Sequence, residues 1–216
     1  MRSIHLIAGA LIALVPLTAS ASTLQMRING GADGEYFDTD GDGRLVVTED
    51  STISGFDLVQ VTATQKLAPP FNQLLANMTV DHNEAATILV EVTAQFTKPG
   101  EATLPGMFGA TANDAMQSEW LIRSFVGAEA YDTSETAVLV LDTSAEGVTT
   151  PVAVRSMASL NLSSFWITHA LQHTGGPDTV AAGNADFAAV VPVPAAGVLL
   201  LGALGGLAVV KRRRKA

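Results

Sequence analysis

Apolar and polar positions alternate through the middle of the chain. In Thr87 to Thr97, the residues Ile88, Val90, Val92, Ala94 and Phe96 fall on one face at period two, the pattern of a half-buried β-strand. Phe56 to Thr64 repeats it with β-branched residues (Phe-Asp-Leu-Val-Gln-Val-Thr-Ala-Thr). Leu121 to Ala130, Ala137 to Leu141, Leu160 to His169 and Ala185 to Val191 continue the pattern, and Met26 to Asn29 adds a further short segment. Pro69-Pro70 and Lys98-Pro99-Gly100 punctuate the series as turns. Gly109 to Glu119 is the one stretch expected to form a short helix. Six or seven short strands in about 170 residues, without a long amphipathic helix, predict a mainly β fold, an antiparallel β-sandwich.

Both ends depart from this pattern. At the N-terminus, Arg2 and His5 precede an apolar run from Leu6 to Val15, broken by Pro16. Ala19-Ser20-Ala21 follows as a small-x-small site, so residues 1–21 read as a secretory signal cleaved after Ala21 by signal peptidase. At the C-terminus, Val190 to Val210 carries no charge and Lys211, Arg212, Arg213, Arg214 and Lys215 follow at once. That stretch is long enough for a transmembrane helix over about residues 195–210, with its basic tail (211–215) on the cytoplasmic side and the body outside. The chain thus divides into a signal (1–21), an ectodomain (22–189) and a C-terminal segment (190–216).

The C-terminal arrangement is a tripartite one. Val191-Pro192-Val193-Pro194-Ala195, an apolar helix and a basic cluster together resemble the PEP-CTERM class of bacterial sorting signals, in its Val-Pro-Leu-Pro-Ala variant, with Val193 in place of Leu. The resemblance covers the tail alone. It implies an exosortase-type transpeptidase as partner, a membrane-anchored precursor, and delivery to the cell surface or matrix of a Gram-negative bacterium that makes extracellular polysaccharide.

Charge then changes the picture of the body. The whole chain is at −9, but residues 22–190 hold all 21 acidic residues and only six basic ones, a charge of −15. Such a body lacks the basic footprint of a nucleic-acid binder. With no cysteine, disulfides, thiolate metal sites and thiol nucleophiles are excluded.

The acids are densest at Asp38-Thr39-Asp40-Gly41-Asp42-Gly43-Arg44-Leu45-Val46-Val47-Thr48-Glu49. Counted from Asp38, these residues match the twelve-residue EF-hand calcium loop. Asp38, Asp40 and Asp42 take positions 1, 3 and 5, Gly43 the sharp turn, Arg44 the backbone-carbonyl position, and Glu49 the closing bidentate position. Ca2+ is a hard cation that gathers six to eight oxygens, and alternate residues of a tight loop can point inward together. The flanks are poor helices: three glycines precede the loop between Asn29 and Gly34. The expectation is a lone EF-hand-like loop that staples a β-rich domain.

Catalytic constellations are thin. His169 and His173, four apart in a strand-like segment, would stand about 13 Å apart, too far to share a metal. His82-Asn83-Glu84 reads as a solvated turn, and no nucleophile elbow, zincin helix or phosphate loop occurs. Trp120 and Trp166 are the only tryptophans and are expected in the core. The expected function is an exported, non-catalytic, calcium-stabilised surface or matrix protein. The alternatives are a carbohydrate-binding module for extracellular polysaccharide and a secreted hydrolase.

Overall fold

An alternating strand has one apolar face, and two sheets can bury such faces against each other about 10 Å apart. The computed structural model describes residues 22–68, 71–97, 103–113, 118–144 and 151–190, and they do this with two antiparallel sheets. Their strands are β1 (Gln25–Ile28), β2 (Glu35–Phe37), β3 (Arg44–Asp50), β4 (Phe56–Ala68), β5 (Phe71–His82), β6 (Ala86–Thr97), β7 (Leu104–Asn113), β8 (Glu119–Gly127), β9 (Leu139–Asp142), β10 (Val152–Leu160), β11 (Ser164–Gly175) and β12 (Val180–Val190). The first sheet has the order β2-β1-β6-β11-β8-β9 and the second β10-β7-β12-β5-β4-β3.

The core follows from strand parity. From β6 come Ile88, Val90, Val92, Ala94 and Phe96, and from β11 come Phe165, Ile167 and Leu171, all buried. The second sheet answers with Val59, Val61 and Ala63 of β4, Leu74, Ala76, Met78 and Val80 of β5, and Ala181, Ala185, Phe187 and Ala189 of β12. Large rings meet small residues across the gap. Trp120 is fully buried, and a Cβ on Gly183 of β12 would lie 2.8 Å from its ring. At the other end Phe96, Phe165, Phe108 and Phe187 form a connected aromatic cluster, with centroids 5.1–6.3 Å apart.

Polar bridges join the sheets at both ends of this core. At one end Gln65 of β4 donates from Nε2 to the Gln95 carbonyl of β6 (2.7 Å) and accepts at Oε1 from the Ser22 hydroxyl (2.8 Å) and the Thr23 N–H (3.0 Å). At the other, His82 Nε2 of β5 is 2.8 Å from His173 Nδ1 of β11. Buried polar groups of this kind must be partnered, because an unmade hydrogen bond costs more than a made one contributes.

Several expectations change. Gly109 to Asn113 belongs to β7 rather than to a helix: the strand buries alternate residues, and its small side chains fit between β10 and β12. The expected strand from Leu160 to His169 is two elements, since Leu160 ends β10 and Ser164 opens β11. His82 is not solvated, because it is the inward-facing last residue of β5, 1% exposed. β5 and β10 carry no clean apolar alternation in sequence. Asn72 and His82 face inward on β5 while Leu75 faces out, and β10 leaves Met157 exposed. Among the described residues no helix is long and apolar enough to cross a membrane. The expected signal (1–21, with Ala19 and Ala21), the motif from Val191 to Ala195, the helix over about 195–210 and the basic tail lie outside the described residues.

The fit between Trp120 and β12 is testable. Trp120→Ala is expected to cost about 3–5 kcal/mol, and Gly183→Val about 1–3 kcal/mol through overpacking. Urea unfolding followed by circular dichroism measures both.

Candidate functional site

The acidic loop lies between β2 and β3, and its backbone is tied at both ends. The Asp38 N–H donates to the Leu24 carbonyl (3.1 Å) and the Gln65 N–H to the Gly43 carbonyl (2.8 Å). Gly43 has φ +79°, and a Cβ there would sit 2.4 Å from the Gln65 carbonyl oxygen, so only glycine fits. Within the loop, side chains fold back on the main chain. Asp38 accepts from the N–H groups of Gly41 (2.9 Å) and Gly43 (2.8 Å), Asp40 from Asp42 (3.3 Å), and Asp42 from Arg44 (2.7 Å).

This geometry brings Asp38, Asp40 and Asp42 together, with one carboxylate oxygen from each inside 4.8 Å of the others. Oxygens that share a calcium ion at about 2.3–2.6 Å stand no more than about 5 Å apart, so the three fit one hard cation. Burial pushes the Asp38 carboxyl up, but hydrogen bonds that favour its ionised form, among them those from the N–H groups of Gly43 and Gly41, outweigh it and hold it below the usual range. Arg44 faces Thr64 across the β3–β4 ladder, whose hydrogen bond beside it runs from the Gln65 N–H to the Gly43 carbonyl. Arg44 is therefore in a non-hydrogen-bonded pair, its N–H and C=O turned away from β4, on the side where its N–H meets Asp42.

Glu49 does not join them. It lies five residues further along β3, about 17 Å at strand rise. Its carboxylate accepts from the Tyr36 hydroxyl and the Thr52 hydroxyl, each at 2.7 Å. Those two bonds hold the Glu49 carboxyl below its usual range, Thr52 contributing most, while burial first and then Glu49 push the Tyr36 phenol up to about 12. The EF-hand relies on a helix after the loop to carry its twelfth residue back to the ion. Here an extended strand carries it away. Ser22, Gln65 and Tyr36, which hold the loop and its neighbour, carry no motif and were not legible in sequence.

The three histidines among the described residues, His82, His169 and His173, are core groups. His169 bonds Ser124 (Nδ1···Oγ 2.9 Å), and both are fully buried, so this serine–histidine pair has no route to a substrate in the folded structure. Burial pushes the His169 imidazole down to about 4. Burial, then His82, does the same for His173, and burial also lowers His82. On the outer face of the first sheet, Arg27 forms a two-pronged ion pair with buried Glu91 (Nε–Oε2 2.5 Å, Nη2–Oε1 3.0 Å) and lies 4.2 Å from the centre of the Tyr131 ring. Of the two tryptophans, Trp120 is in the core as expected, whereas Trp166 is half-buried on that same outer face, opposite Gln95 and Gly127.

No family model matches the chain, and no curated protein does. Among solved structures it is similar to the K1 cleaved adhesin domain of Lys-gingipain from Porphyromonas gingivalis W83, at 11% identity over 78% of this chain and 91% of that one, TM-score 0.34. It is also similar to TmCBM61 in complex with beta-1,4-galactotriose (10% identity, 77% and 88% covered, TM-score 0.32) and to a family 35 carbohydrate binding module from Clostridium thermocellum (14% identity, 74% and 90% covered, TM-score 0.28).

The buried histidines set a pH dependence. Their folded values lie below the unfolded 6.5, so between about pH 6.5 and 4 the unfolded chain binds more protons. Stability is full above pH 6.5 and is lost as pH falls through that window, by up to about 1.4 kcal/mol per pH unit per histidine. Melting temperatures from pH 7.5 to 4 are expected to fall steeply below 6.5, with a shallower slope in His169→Gln.

Proposed function

We propose that this chain is an exported, non-catalytic surface or extracellular-matrix protein whose β-sandwich is stabilised by Ca2+ at the loop Asp38–Gly43. The observation that carries the reading is the convergence of the Asp38, Asp40 and Asp42 carboxylates within 4.8 Å in a backbone-pinned loop. The ligand set would be those three side chains with the Arg44 carbonyl and water, Glu49 being held by Tyr36 and Thr52. A cation there supplies charge neutralisation and local order. Loops of this size in extracellular modules bind with Kd on the order of 10⁻⁴–10⁻³ M.

Support for export comes from the apolar segments that flank the acidic body, and the resemblance of the tail to a sorting signal makes signal peptidase and an exosortase its processing partners. The membrane then holds only the precursor. A non-catalytic role draws support from the sealed state of the Ser124–His169 pair.

Two measurements test this. In isothermal titration, the full-length protein is expected to take up one Ca2+, and 10 mM CaCl2 is expected to raise the melting temperature, at most by the equivalent of about 2.7 kcal/mol at a hundredfold excess over Kd. Asp40→Ala should abolish both effects and Glu49→Gln should keep them. No heat from the unaltered protein would refute the calcium reading. Mass spectrometry of the surface form should lack the peptide from Leu199 to Val209. Its retention would refute sorting.

A further inference from the structure

The outer faces of the two sheets differ in how some of their polar rows are bonded. On the first sheet four pairs bond one another: Thr93 with Thr168 (3.0 Å), Thr87 with Thr174 (2.9 Å), Gln95 with Ser164 (2.9 Å) and Arg27 with Glu91. On the second sheet the register builds a row from Arg155 through Gly109 and Asp186, and beside it a row of Thr111, Asn184 and Asn77. None of the five side chains in these rows has a hydrogen bond or ion pair among the described residues.

These rows line a groove. A depression of about 530 Å³ lies over Gly109, between Arg155 and Asp186, with Met107 and Met157 on its rim at 45% and 75% exposure. A second, of about 260 Å³, lies over the neighbouring row of Thr111, Asn184 and Asn77. From the Met107 row to the Asn113 row the two depressions together span three two-residue steps of β7, about 20 Å. Gly109 makes room for the Asp186 carboxylate, since a Cβ there would lie 2.4 Å from Asp186 Oδ1.

We propose that this face binds a neutral polysaccharide chain, held by Arg155, Asp186, Thr111 and Asn184 and packed against Met107 and Met157. Arg155 only donates, Asp186 only accepts, and the hydroxyl and amides do both. A sugar ring presents hydroxyls that donate and accept around an aliphatic C–H face, which matches this mixture of partners and the methionine rim. A polyanion is disfavoured by the Asp186 carboxylate and by a body at −15. A peptide adding itself as a strand would use the edge of β10 and leave the face empty. The proposal takes from the reading above only the extracellular setting, since groove and calcium loop share no residue.

Affinity electrophoresis of the full-length protein tests it, in native gels containing a soluble β-glucan, a galactan, a mannan or, as polyanion, a polyuronate. Retardation by at least one neutral polymer is expected. Asp186→Ala and Arg155→Ala should each weaken it roughly tenfold, the loss of a charge-assisted hydrogen bond, with melting temperature unchanged. Gln172→Ala, on the other sheet, should leave it intact. No retardation by any of the three neutral polymers overturns the proposal, as does retardation that both variants keep, or retardation by the polyuronate alone. Calcium titration of the same protein reads the other hypothesis separately.

Discussion

The fit between the bulky inner residues of the first sheet and the small ones of β12 is the constraint on which the structure rests. Trp120, Phe96 and Phe165 fill the space that Ala181, Gly183, Ala185 and Ala189 leave open, with Phe187 interlocking at one end. A chain without cysteine has no covalent staple to share that load. The position of every outward-facing group follows from it, because parity along a strand fixes which residues face out once the inner face is chosen. The groove and the bonded polar pairs of the opposite face are therefore consequences of the same packing.

Sequence legibility tracked how cleanly a strand alternates. β6 could be read because five apolar residues share its inner face and polar ones the other, and β4 for the same reason. β5 hid because two of its inward positions hold polar residues, Asn72 and His82, and the partner of His82 is His173 of β11, which leaves no local trace. The glycine- and alanine-rich part of β7 looked like a weak helix. Its small residues reflect the crowding around β12, a tertiary demand that overrides propensity. The adjacent segments Leu160 and Ser164 to His169 ran together because both are apolar and only the short turn between them marks the change of sheet.

The loop was legible up to the point where its geometry stops being local. Asp38, Asp40, Asp42 and Gly43 are close in sequence, so their spacing alone brings them together. Glu49 depends on what the chain does next, and seven residues of β3 paired with β4 take it elsewhere. In this β-context the two ends of the loop are held by backbone hydrogen bonds to Leu24 and Gln65. The groove had no signature at all, since Arg155, Gly109 and Asp186 belong to three strands that become neighbours only through the sheet order.

The loop's anchorage also decides how far an ion there would act. Gly43 is bonded to Gln65, and Gln65 is the polar bridge between the sheets at that end, reaching Gln95 on one side and Ser22 and Thr23 on the other. The last strand comes to the same end: Leu74, opposite Gln65, is three residues from Phe71, which pairs with Val190. Relief of carboxylate repulsion at Asp38, Asp40 and Asp42 would thus be felt by the backbone that carries the bridge, and through it by β1, β4 and β6 together. A cation in this loop would stabilise the closure of the sandwich at that end rather than a surface turn alone, so its effect belongs in the global unfolding transition.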